Sequence, residues 1–199
     1  MNNKKFVAKI NDIKLTVRKA DAFTINYVNC EKDKFKIEDN KDNIKLVQTE
    51  KGSYFYWFRL LTKGSPEVIV TLPENVNGCE IEAKSNQVLI EDVKMDKIYA
   101  EVHNGMLEVR NVKANNLFLK CFNGSAIAKN VEVANVCTID TLNGTSVLEG
   151  TITKNAGLEV TCKNGMTEVS DKYRAILGYK KDGCANYVLH CQNGKAIVK

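Results

Sequence analysis

The side chains in this 199-residue sequence best suited to nucleophilic or metal chemistry are two histidines, His103 and His190, and seven cysteines. A zinc site built on a short turn needs cysteine or histidine pairs a few residues apart, so that two ligands reach one ion. No Cys-x-x-Cys pair occurs, and Cys121, Cys162 and Cys191 fall at corresponding places of a long repeat. The histidines have no carboxylate or cysteine pattern around them. A P-loop, a dinucleotide-binding glycine turn and a Gly-x-Ser-x-Gly elbow are also absent. The expectation is a protein without catalytic, cofactor-binding or metal residues, its cysteines serving as small apolar side chains.

Composition places the chain among ordinary globular proteins, with 44% hydrophobic and 27% charged residues. The formal charge of +5 is spread over scattered lysines that are not interleaved with aromatics, so no nucleic-acid partner is expected. No apolar run approaches the length of a membrane span, so membrane insertion is not expected either. The first residues, MNNKKFVAKINDIKLTV, alternate polar and apolar types where a secretory leader would run apolar. Together with an odd number of widely spaced cysteines, this favours a cytoplasmic setting.

Those chemistry-poor residues are organised by a repeat. The dipeptides Ser85-Asn86, Asn104-Gly105, Asn123-Gly124, Asn143-Gly144, Asn164-Gly165 and Asn193-Gly194 recur at intervals of 19, 19, 20, 21 and 29, the last containing an insertion near 173–186. Four residues before each dipeptide stand Ile81, Ala100, Leu119, Ile139, Val160 and Leu189. Five residues after its start stand Ile90, Val109, Ala128, Leu148, Val169 and Val198. Apolar residues at every second place on both sides of the dipeptide mark two short strands with one buried face each. One repeat is too small to bury that face alone, so repeats stack and equivalent residues form interior ladders. The predicted fold is all-β, a right-handed β-helix or β-solenoid with coils of about 19–21 residues. A meander of antiparallel hairpins is the alternative, since Asn-Gly also favours hairpin turns.

Residues 71–199 carry the solenoid coils. Residues 1–70 also alternate, as in Ile13, Leu15 and Val17, but lack the clean interval. They read as irregular opening coils or as an N-terminal cap that protects a sheet edge. The far end, finishing directly after the last repeat strand, reads as an open C-terminal coil.

Outward positions carry charges of alternating sign, such as Glu101, Lys120 and Asp140, which suit register more than ligand binding. Against that background Phe118, Phe122, Ile127, Leu142 and Val147 form a candidate interaction patch. It is either covered by the N-terminal region, the insertion or a second subunit, or it binds a partner. Tyr54, Tyr56 and Trp57 are a candidate aromatic ligand surface, with a buried strand as the competing reading.

The segment EVIVTLPENVNGCEIEAKSNQVLIEDV, followed by EVHNGMLEVRNV, KCFNGSAIAKNV and TCKNGMTEVSDK, resembles the bacterial "putative adhesin" domains of unknown function. The matching features are Leu72-Pro73 and the recurrent Asn-Gly. The resemblance implies a single-stranded right-handed β-helix and a surface or envelope setting. The expected function is a non-catalytic adhesion or binding module presenting a rigid face to a protein or glycan. The alternative is a structural protein that self-associates into a homo-oligomer through the open C-terminal coil or the central apolar patch.

Overall fold

The computed structural model describes residues 4–49, 65–152, 155–178 and 185–199. Tyr54, Tyr56 and Trp57 lie outside the described residues. The alternating segments form β1 (Lys4–Ile10), β2 (Lys14–Lys19), β3 (Thr24–Val28), β4 (Phe35–Asp39), β5 (Asn43–Gln48), β6 (Glu67–Leu72), β7 (Val76–Glu91), β8 (Lys94–Glu149), β9 (Gly157–Val169) and β10 (Asn186–Val198). All ten join one curled, β-solenoid-like sheet. Helix among the described residues is limited to 3-10 turns at Lys32–Lys34 and Asp171–Ile176.

The sheet is a stack of two-armed layers that bend at the Asn-Gly dipeptides. β7 pairs in parallel with the first part of β8, Ile81 opposite Ala100 and Ile90 opposite Val109. β8 supplies three successive layers, its strand continuing through each bend without a break. The antiparallel alternative is confined to the other end, where β3 pairs β6 and β4 pairs β5.

Chain order and layer order differ at both ends. β1 pairs β5 on one side and β7 on the other, and β2 likewise lies between β6 and β7. Residues 4–19 are therefore tucked inside the stack, with the β5–β6 layer outside them. At the other end β10 pairs β8 through Leu189 and Ile139, and pairs β9 through Leu189 and Val160. This corrects the expected open C-terminal coil: the last strand is interior, and β9 is the outermost layer. Gly178 donates its N–H to Leu158 O at 2.7 Å, so the segment that follows β9 returns at that residue to part of the β9 edge.

The core follows from this order. One inward column reads Leu46, Ala8, Ile81, Ala100, Leu119, Ile139 and Leu189 across successive layers, and each is buried. Val160, next in line on β9, is only partly buried, as the last layer requires. The cysteine column is interrupted: Thr141 stands between Cys121 and Cys191, and its hydroxyl meets Ser146 Oγ at 3.0 Å, which in turn donates to His190 O at 2.8 Å. A buried hydroxyl pair is tolerated there because both groups find partners.

Two polar columns fix the bends. Asn123 donates an amide N–H to Asn104 Oδ1 at 2.9 Å, Asn143 to Asn123 at 2.8 Å, Asn193 to Asn143 at 2.7 Å and Asn164 to Asn193 at 2.8 Å. Beside them Gly105, Gly124, Gly144, Gly194 and Gly165 hold φ between 135° and 151°, a region that side chains rarely adopt. A second bend, seven residues after the first residue of each dipeptide, places Asp92, Asn111 and Asn130 at φ 53°, 52° and 51°, with Gly150 next in line. Short polar residues tolerate that left-handed backbone, and Asn111 bonds Asp92 Oδ1 at 3.0 Å.

A Cβ at Gly144 would collide with Gly124 O besides straining its φ of 144°. We expect Gly144→Ala to lower unfolding stability by about 3 kcal/mol, combining backbone strain with overpacking. Denaturant unfolding checks this; a loss well under 1 kcal/mol would contradict it.

Candidate interaction face

The arm before the bend turns every second residue outward. Across successive layers these are Glu80, Tyr99, Phe118, Thr138 and Val188 in one column, and Lys84, His103, Phe122, Leu142 and Gln192 in another. Neighbouring layers thus place rings beside rings. His103 and Phe122 stack with centroids 4.7 Å apart, and Lys120 Nζ lies 4.5 Å from the Phe122 centroid. Leu142 continues the row and is 37% exposed, which makes it the most open apolar side chain of the strip.

Glu101 organises the polar half of this face. Its carboxylate accepts the Tyr99 hydroxyl at 2.7 Å, lies 3.2 Å from His103 Nε2 and 3.8 Å from Lys120 Nζ. The hydrogen bond to Glu101 first, and burial second, push the Tyr99 phenol up to about 12. The phenol therefore stays a neutral donor, and its ring is held in place. Further along, Lys120, Phe122, Asp140, Leu142 and His190 line a shallow cavity of about 130 Å³. His190 Nδ1 sits 2.9 Å from Thr161 Oγ1 on β9.

The arm after the bend presents a second surface. The structure places Ile127 and Val147 here, separated by the asparagine column from Phe118, Phe122 and Leu142, so the five candidate patch residues occupy two faces. Ile197 lies opposite Val147 and extends this row to three β-branched side chains. Glu108 borders it, buried between Arg110 at 3.0 Å and Lys129 at 3.1 Å. Burial alone would raise this carboxyl, but the two cations outweigh it and hold it below the usual range. Arg110 and Lys129 thus converge on Glu108 in place of a simple ladder with Glu91 and Glu149.

Val188, His190 and Ile197 were not expected beside the patch. They come from the inserted strand, and an interval of 29 residues announced an insertion without showing where the chain returns. Cys79, Cys121, Cys137 and Cys191 line the inside. Burial pushes the Cys79 and Cys137 thiols up to about 12 and Cys121 to about 11, so they remain protonated at neutral pH. Cys162 and Cys191 stand in register on β9 and β10, both as free thiols. Among the described residues no three His, Cys, Asp or Glu side chains gather in a metal-binding group.

Residues 5–175 match the family described as Toastrack DUF4097. The chain belongs to that family. Among solved structures, it is similar to a "putative cell adhesion protein" from Clostridium sporogenes ATCC 15579, at 12% identity and a TM-score of 0.52, covering 100% of this chain and 92% of the other. That likeness shows the curled all-β fold and nothing about activity. A "putative adhesin" from Bacteroides fragilis NCTC 9343 aligns over 98% of this chain and 92% of its own at 8% identity and a TM-score of 0.36. No curated protein matches the Toastrack chain.

Because Tyr99 deprotonates near pH 10 when unfolded and near 12 when folded, its contribution to stability is complete below pH 10 and is lost as pH rises from 10 to 12. Tyrosine-labelled NMR titration should show Tyr99 ionising near 12, and Glu101→Leu should move it down towards 10. An unchanged inflection in the variant would contradict the assigned cause.

Proposed function

We propose that this Toastrack chain is a non-catalytic recognition module, which holds a protein or glycan against the outer face of the arm before the bend. The observation that carries this reading is the strip across three neighbouring layers: Tyr99, His103, Phe118, Phe122 and Leu142. Flat rings on a sheet bury apolar surface of a partner at little entropic cost, because the side chains are already held by their neighbours. Lys120 and Glu101 add donors and acceptors at its edge. The adhesin-like names of the fold neighbours agree with a binding role, and the right-handed winding implied by the resemblance belongs to this proposal as well.

A second reading is self-association through the row Ile127, Val147 and Ile197, favoured by three consecutive branched apolar side chains on one flank. Here the open C-terminal coil has no part, since β10 is interior.

Glycan arrays and capture of surface proteins, each with the wild-type chain and with Phe122→Lys, test the first reading. Expected is a defined ligand whose binding falls at least about tenfold in the variant, a loss of some 1.4 kcal/mol. Unchanged binding would count against the strip. Concentration-dependent dimers lost in Val147→Lys would shift the weight to the second reading.

A further inference from the structure

We propose that the groove over Gly78 binds an acidic sugar residue, a pyranose carrying one carboxylate. This rests on the recognition-module reading and names a ligand class for one end of the same face.

The outward column at the start of the arm reads Lys5, Gly78 and Lys97 on three adjacent layers. Gly78 borders a bulge, where β1 shifts register so that Lys4 faces Val76 and Lys5 faces Gly78, a place where strand glycine is common but not obligatory. Gly78 is absent from the positive-φ residues, whereas the bend glycines hold φ near 140°. A Cβ built on it would meet Lys5 Cγ at 3.5 Å, Lys5 Cβ at 3.9 Å and Lys97 O at 3.9 Å, all ordinary contacts. Glycine inside a strand weakens it, and often marks close approach by a ligand. Beside it opens a cavity of about 400 Å³, lined by Gly78 together with Lys5, Glu80, Asp96, Lys97 and Tyr99. That volume falls within the range of small-molecule sites.

The lining is preset. Asp96 is fixed by Asn115, which donates to its Oδ1 at 2.6 Å, and its own N–H donates to Asn77 Oδ1 at 2.9 Å. The Tyr99 ring is oriented by its hydroxyl bond to Glu101. Lys5 is paired with Glu80, and Lys4 at the rim with Asp39. Lys97 forms no ion pair among the described residues, its Nζ lying 5.6 Å from the Phe118 centroid.

These groups select one chemistry. The carboxylates of Glu80 and Asp96 accept from sugar hydroxyls, the Tyr99 ring offers a surface for a pyranose face, and Lys97 supplies a cation for a single carboxylate. A phosphate dianion would be repelled by the same two carboxylates at the rim. Tyr99 also belongs to the aromatic strip, so a longer glycan leaving the groove would run on over Phe118.

The test is NMR titration of the labelled full chain with sodium glucuronate, glucose and inorganic phosphate. Expected are saturable shifts at Gly78, Lys97 and Tyr99 with glucuronate, at an affinity about tenfold above glucose. Lys97→Ala should erase that preference. Gly78→Val should fold at least as stably as the parent and abolish the shifts. The proposal is overturned if glucuronate gives no saturable shift, if phosphate binds as tightly, or if folded Gly78→Val retains binding. A partner found by array whose binding responds to Phe122→Lys but not to Gly78→Val would overturn the groove and leave the recognition-module reading intact.

Discussion

The packing of one glycine carbonyl into the space where the next glycine lacks a side chain governs this structure. At each Asn-Gly bend the glycine takes a φ near 140°, and the neighbouring layer's carbonyl oxygen occupies the position a Cβ would need. Two requirements thus meet at the same residue, one conformational and one steric. The asparagine before each glycine then bonds its counterpart on the next layer. The outcome is registry: a shift by one residue would place a Cβ against a carbonyl and turn the apolar ladders outward.

Registry in turn permits the unusual layer order. Because the segments around Asn143, Asn164 and Asn193 carry the same pattern, each can stack on either of the others. The asparagine bonds run 143 to 193 to 164, so the C-terminal strand sits between two layers that precede it in sequence. β1 and β2 do the same at the opposite end. Placing both terminal segments inside the stack buries them on both edges, and leaves β9 and the antiparallel pairs of β3 and β4 to face outward. It also brings Val188 and Ile197 beside surface residues some fifty positions earlier.

The all-β class, the interior ladders and the bend glycines were legible in the sequence because period-two burial and the Asn-Gly interval are local signals. The second bend could have been read too: Asp92, Asn111 and Asn130 precede the apolar column of Val93, Val112 and Val131, and their spacing matches the repeat. Layer order was not legible, since segments with equivalent patterns compete for the same neighbours and sequence periodicity is blind to which one wins. The patch suffered for the same reason in part. Its five members stand at outward positions of the repeat, but the bend divides them between two flanks, and the inserted strand adds members to both. Gly78 shows a further limit. It looks like any other glycine until the structure places it beside a register shift, without a positive φ and with room for a Cβ, at the edge of a cavity.

A stack held in register at its bends is a rigid support for surface chemistry, with Phe118 one layer from Tyr99 and the Phe122 ring stacked on His103 of the neighbouring layer. The account stands on the order of those layers. Interstrand nuclear Overhauser contacts of Gly194 test it most directly. The account expects Gly194 to contact both Gly144 and Gly165. Direct contact between Gly144 and Gly165, with Gly194 touching one of them alone, would contradict it.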